Sequence, residues 1–302
     1  MSALLSSEFR RFLARDLLLV LVTAALAGIA MAGVVAAAKS HPLSAGDLAQ
    51  AEQQAADDLR RCMAGDMFTP RDLPPGERLE KFCRTNIRPE NYYGSQPLAL
   101  RDLPNWIQGV SFILFVGSLV LGASFVGAEW HAGSMMTLLT WEPRRLRVLV
   151  AKVLACTVTI FVLAVGLLIL LSLTMTLVAA TRGTTSGLPD GWFGSVAGSV
   201  LRSAAAASLA SALGLALAMI GRNTAAAMGV TFGYLAIVEG LIRALRPGWQ
   251  KWLLGDNLSV FIMGRGVGFA GRSLGGAALV LLLYAGILLL AAGASFRARD
   301  VS

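Results

Sequence analysis

Charge, histidine and cysteine are all scarce in this sequence, and each scarcity excludes something. Only 15% of residues are charged while 56% are hydrophobic, and mean hydropathy is +0.66. Soluble chains carry about 25% charged residues. A soluble core cannot absorb that apolar excess, whereas a bilayer can, because lipid replaces the polar surface a globular protein needs. The only two histidines, His41 and His131, fall in separate polar segments and form no H-E-x-x-H motif, so neither a histidine metal cluster nor a metalloprotease site is expected. A buried Ser/His pair would need His131, which sits in a polar loop, and no catalytic residue is assigned. No G-x-x-x-x-G-K-[ST] occurs, so nothing cradles nucleotide phosphates in the P-loop manner. Gly266-x-Gly268-x-x-Gly271 has the spelling of a dinucleotide fingerprint but follows no strand, and is read as a glycine-rich loop. The net charge of +8 is read as basic flanks beside membrane helices rather than as a nucleic-acid surface.

What is present in quantity is uncharged apolar sequence. Leu17–Ala38, Ile107–Ala128, Val153–Ala180, Ser203–Gly221 and Ser273–Phe296 contain no charge, and each approaches or exceeds the ~20 residues that cross a bilayer as a helix. Asn223–Val238 is too short alone and spans only by accepting Glu239 and Arg243, which lie four apart on a helix and can pair inside the membrane. The expected fold is therefore all-α and polytopic with six transmembrane helices, or five without that extension. The first span is expected to be retained, because its apolar run exceeds the 7–15 residues of a signal-peptide core. Basic residues favour a cytoplasmic N-terminus and C-terminus, with Arg144, Arg145 and Arg147 as the sharpest local cue.

Three regions follow: an amphipathic helix and the first span over 1–38, an extracytoplasmic cap over 39–105, and spans two to six over 106–302. Before the first span, Leu5, Phe9, Phe12 and Leu13 share one helical face with Glu8, Arg11 and Arg15 elsewhere, as in a helix lying in the interface. A plain cytoplasmic extension is the alternative. In the cap, Leu48, Ala55, Leu59 and Met63 recur at helical spacing after a Ser44-x-x-Asp47 capping signal, and Leu79 and Phe82 suggest a second short helix. Prolines 70, 74, 75, 89, 97 and 104 punctuate the rest. Cys62 and Cys83 both fall in the cap, so a disulfide is chemically allowed in an oxidising compartment, with two unpaired thiols as the alternative. Leu245–Arg272 carries Trp249, Trp252 and Phe261 among glycines, consistent with a re-entrant or interfacial hairpin. Gly229-x-x-x-Gly233 is a candidate for close helix packing.

The most informative stretch joins the second and third spans. It reads Gly127-Ala128-Glu129, then Gly133, Leu138-Leu139, Glu142-Pro143-Arg144-Arg145-x-Arg147 and Lys152. Glu129 is expected to begin a short helix whose Leu138 and Leu139 dock, and Pro143 suits the first turn of the next helix. An ordinary basic loop is the bland reading. The same pattern resembles the cytoplasmic loop of type-2 ABC transporter permeases, and the order of elements is similar over nearly the whole chain. The resemblance implies a permease subunit of an ATP-driven bacterial exporter in the cytoplasmic membrane. Glu129, Gly133, Leu138 and Leu139 would form a coupling helix against a separate ATPase subunit, with Pro143, Arg144, Arg145 and Arg147 at the elbow into the third span. ATP and magnesium would bind on that partner, leaving this chain without a cofactor, and a second permease copy or paralogue would complete the pathway among membrane lipids. The first outer loop departs from the family's usual short form, which puts the cap's part in substrate handling in doubt.

Two readings of other kinds stand beside it. A receptor or scaffold would work through the cap, with no ATPase on the loop. An ion-coupled transporter would need intramembrane carboxylates, for which Glu239 is the sequence's only candidate.

Overall fold

The computed structural model describes residues 2–40, 44–68, 78–92, 98–264 and 272–298. The Gly266–Gly271 motif, His41, and prolines 70, 74, 75 and 97 lie outside them. The described chain is helical throughout, with one isolated parallel bridge between Ala99 and Thr184 as its sole extended pairing. Six helical stretches are long and apolar enough to cross a membrane: Asp16–Lys39, Leu100–His131, Arg145–Arg182, Trp192–Gly221, Thr224–Leu245 and Leu274–Ala298. This is the architecture of a multi-pass membrane protein.

In chain order the helices are α1 (Ser2–Leu13), α2 (Asp16–Lys39), α3 (Ala45–Ala64), α4 (Leu79–Asn86), α5 (Leu103–His131), α6 (Ser134–Trp141), α7 (Arg145–Arg182), α8 (Trp192–Gly221), α9 (Thr224–Gly233), α10 (Glu239–Leu245), α11 (Leu254–Met263) and α12 (Leu274–Ala298). Between α9 and α10 the fifth span passes through a π turn at Tyr234–Val238, so the helix is unbroken and its hydrogen-bond register shifts. Most spans run past the charge-free segments that reveal them: the third begins at Arg145, well before Val153, and the fourth at Trp192, well before Ser203.

The chain divides into two compact units, one of residues 1–29, 103–173 and 189–302, the other of 30–102 and 174–188. In the first, α5 and α8 pack backbone to backbone. A Cβ on Gly122 would sit 2.0 Å from the Ser211 carbonyl oxygen, and one on Gly214 would sit 2.2 Å from that of Leu119. Only glycine permits that approach, and buried Ala204, Ala207 and Ala210 keep the rest of the seam narrow. The Ser111 hydroxyl donates to Ser203 across the same seam, satisfying two polar groups in an apolar layer. Gly229 and Gly233, read from spacing as a packing motif, face open space instead.

The second unit holds the ends of α2 and α7 together with residues up to Asp102 of the segment between the first two spans. The Ser40 hydroxyl donates to the Arg182 carbonyl (2.7 Å) and accepts from the Leu98 N–H (2.9 Å). Helix α3 opens with a reciprocal capping box between Ser44 and Asp47 and closes on Gly65 at φ 84°, the left-handed cap that favours glycine. Those hydrogen bonds from Ser44 hold the Asp47 carboxyl below its ordinary value. A disulfide joins Cys62 on α3 to Cys83 on α4, and both cysteines are fully buried. The buried stripe of α3 is Ala51, Ala55 and Cys62; Leu48 and Met63, expected on it, are exposed. The covalent link and small residues therefore set that packing rather than the large apolar side chains. The Tyr92 hydroxyl donates to Asp58 (2.7 Å) on α3. Desolvation, and then Asp58, push the Tyr92 phenol above its ordinary value.

Candidate functional site

The loop between the second and third spans forms its own short helix, built from a conformational break. Gly133 adopts φ 67°, which ends α5 at His131 and lets the chain restart as α6 at Ser134. Glu129 therefore lies in the last turn of α5; it does not begin the short helix, as the spacing suggested. Pro143 stands just before α7, whose first residue is Arg145, so it precedes the first turn rather than occupying it. At that point the missing N–H costs no helical hydrogen bond.

Helix α6 is amphipathic in the direction opposite to a docking surface built on its leucines. Met135 and Leu138 are buried and Leu139 packs against the same core, so these side chains anchor the helix. Met136, Thr137, Thr140 and Trp141 point outward, and Trp141 is 85% exposed. An exposed tryptophan beside an exposed methionine is the surface chemistry enriched at protein contacts. Arg145 donates to the carbonyls of Phe296 (2.9 Å) and Arg297 (3.3 Å), satisfying the last turn of α12 with a cation. Arg144 and Arg147 are exposed.

Beneath α6 lies a charge cluster that spacing could not assemble. Lys152, on α7, is fully buried. Its ammonium lies 2.7 Å from Glu8 on α1 and 2.7 Å from Glu129 on α5; Glu8 is 0% exposed and Glu129 15%. It also sits 4.8 Å from the centroid of the Phe125 ring, which meets Phe12 edge-on at 4.9 Å. Glu8 was expected on the polar face of α1. It points inward one turn before Phe12, while Leu13, expected on the apolar face, is exposed. A buried ammonium is tolerated only with close anionic partners, so burial of Lys152 requires both carboxylates in place. Three segments distant in sequence are tied at one point: helix α1, the end of the second span and the start of the third.

Arg15 completes this corner. It donates to the Ser124 carbonyl (2.8 Å) and stands 5.5 Å over Phe125. Burial pushes its guanidinium below its ordinary value, an effect opposed by the carboxylate of Glu129. Arg11 bonds Glu8 at 3.2 Å from the exposed side. A pocket of about 670 Å³ opens between α1 and α6, bounded by Arg11, Arg15, Glu129, Thr137 and Trp141.

A second cluster lies at the far end of the fifth span. Arg243 contacts Glu239 (2.9 Å) and Asp256 on α11 (2.9 Å), and Glu239 also accepts the Gly255 N–H (2.9 Å). A Cβ on Gly255 would sit 2.7 Å from Glu239 Oε2. Asp256 is the partner that the four-residue spacing did not reveal. Nearby, the Tyr234 and Tyr284 hydroxyls share a hydrogen bond (2.7 Å) beside the π turn. The segment after α10 folds back as a short 3-10 turn and α11, whose buried Leu254, Leu258 and Ile262 join the core. Trp249 and Trp252 stay exposed.

No family model matches this chain, and no curated protein matches it.

Proposed function

We propose that this chain is the membrane permease subunit of an ATP-driven exporter and that α6 is its contact with a separate ATPase. The observation that carries the reading is α6 itself. It is a rigid helical step between two spans, anchored by Met135 and Leu138, with Met136 and Trp141 turned outward. The cluster of Lys152, Glu8 and Glu129 lies at its base. A push on the outer face of α6 would pass to α5 and α7 through buried contacts rather than dissipate in a slack loop. The absence of a P-loop from the sequence fits ATP and magnesium binding on the partner. The resemblance of residues 127–152 to type-2 ABC permeases supplies the class of partner, the second permease copy and the bacterial cytoplasmic membrane.

The orientation belongs to the same reading. The disulfide of the 39–105 segment suits an oxidising outer compartment, and Arg144, Arg145 and Arg147 beside the third span suit the cytoplasmic side. In this reading both termini and α6 lie inside and the cap lies outside.

The test is co-purification from the native membrane. A P-loop ATPase is expected in equal ratio with the wild-type chain and is expected to be lost when Trp141→Ala and Met136→Ala are combined. An intact chain that never carries an ATPase, while its cap captures an outer partner, would favour the receptor reading.

A further inference from the structure

The pocket between α1 and α6 has a position, a charge and a shape that together specify a ligand. Its position is the level at which three spans start or stop. Arg15 directly precedes Asp16, the first residue of α2; Glu129 is in the last turn of α5; Arg145 opens α7 four residues after Trp141. Residues that border the ends of apolar helices lie at the headgroup layer of a bilayer.

The charge comes from an imbalance. Glu8 is shared between Lys152 and Arg11, and Glu129 is engaged by Lys152. Two carboxylates thus face three cations, Lys152, Arg11 and Arg15. Arg15 makes no ion pair within 4.0 Å among the described residues; its bond goes to the neutral Ser124 carbonyl. It is partly buried, and that burial opposes its charge, so a neighbouring anion would stabilise it. Asp16, the next residue, is exposed and heads the first turn of α2, where its charge complements the helix N-terminus.

The pocket is roomier than a bare ion needs. A volume of about 670 Å³, lined by the guanidiniums and by Ser134 and Thr137 among others, is of the size that takes a small organic molecule.

We propose that this pocket binds the phosphodiester headgroup of an anionic phospholipid, with Arg15 as the principal cation and Arg11 as the second. One phosphodiester carries the single negative charge that the cluster lacks. Guanidinium forks match phosphate oxygens in geometry, and the hydroxyls of Ser134 and Thr137 offer hydrogen bonds to a glycerol-like headgroup. The acyl chains extend along the apolar flank of the spans. The proposal rests on the spans lying in a bilayer and does not depend on an ATPase partner.

The experiment uses the full-length chain alone in detergent micelles. Short-chain phosphatidylglycerol, short-chain phosphatidylcholine and inorganic phosphate are titrated separately, and bound ligand is counted by native mass spectrometry. The wild-type chain is expected to bind phosphatidylglycerol about tenfold more tightly than phosphatidylcholine, the scale of one charge-assisted pair, and not to bind inorganic phosphate comparably. Arg15→Gln is expected to abolish the preference and Arg10→Gln, an exposed neighbour, to keep it. Should Arg15→Gln fail to fold, Ser134→Phe fills the pocket without removing charge and is expected to abolish the preference as well. Equal binding of the two lipids by the wild-type chain would overturn the proposal, as would an unchanged preference in both pocket variants. Comparable binding of inorganic phosphate would mark a free-phosphate site and overturn the lipid assignment.

Discussion

Each of the two ionic clusters is centred on one cation held between two carboxylates, with Arg11 as a further cation on Glu8 in the first, and the two are built in opposite ways. Lys152 gathers Glu8 and Glu129 from segments 144 and 23 residues away, and none of the three is more than 15% exposed. Arg243 takes Glu239 from its own helix, four residues back, and Asp256 from the next helix, and is itself 38% exposed. The Lys152 ammonium is enclosed and the Arg243 guanidinium is partly open, although Glu239 is nearly as buried as Glu8. The contrast teaches that charge count says little about what an ion cluster does. The first ties distant elements where α6 leaves the membrane unit; the second fastens a local turn.

Lys152→Met offers the sharpest way to break that comparison. It leaves Glu8 and Glu129 without the buried cation between them, Arg11 still reaching Glu8 from the exposed side, and removing one partner of a buried pair costs about 3–5 kcal/mol. Most of that loss is expected to return in the triple variant Glu8→Gln, Glu129→Gln, Lys152→Met, measured by unfolding in detergent. A triple variant as unstable as the single would mean that Lys152 supports the fold by packing rather than charge.

Next in size is Gly255→Ala, whose methyl would press on Glu239 Oε2 and compete with the Gly255 N–H bond. A loss of about 1–3 kcal/mol is expected, the cost of leaving a buried acceptor poorly satisfied. Glu239→Gln should reduce that penalty, because the neutral amide demands less of its donors.

Arg243→Ala is expected to cost less than Lys152→Met, about 1–3 kcal/mol, because only one of the two carboxylates it leaves is fully buried and that one, Glu239, keeps the Gly255 N–H. Equal losses at the two sites would show that exposure does not set the difference.

The smallest effect belongs to an ionic contact with full exposure, the Ser44 and Asp47 capping box on α3. The folded state holds the Asp47 carboxyl below its ordinary value. Its stabilising contribution is therefore complete above the ordinary aspartate range and lost as pH falls through the lowered folded value. Ser44→Ala is expected to raise amide exchange in the first turn of α3 at neutral pH and to weaken the acid dependence of that exchange, since the Ser44 N–H still reaches Asp47.

What was legible in the sequence follows the same divide between local and distant. Six charge-free runs mark the spans because lipid imposes length and apolarity on each segment separately. The contact of Glu239 with Arg243, the capping box and the short helix at Leu79 are likewise local, set by spacings of a few residues. The facing of Glu8 was misread because a carboxylate on an amphipathic helix is ordinarily solvated; its partner, Lys152, lies 144 positions later. Glu129 was placed on the wrong helix because the break depends on the left-handed conformation of Gly133, which apolar periodicity does not register. Leu138 and Leu139 lie on the short helix expected of them and dock against the core, which leaves Met136 and Trp141 as the exposed pair that apolar spacing did not single out. Asp256 and the π turn at Tyr234–Val238 arise from how α11 folds back, which no local pattern encodes.

The central claim is that the outer face of α6 meets an ATPase. A photo-crosslinking residue placed at Trp141, in the chain at native levels in its own membrane, tests it most directly. The account predicts one dominant crosslinked protein, a P-loop ATPase, whatever lipid adduct the adjoining pocket gives, and no ATPase adduct when the same probe replaces exposed Leu173 on α7. Crosslinking at Trp141 to lipid alone, with no ATPase adduct under conditions of active transport, would contradict it.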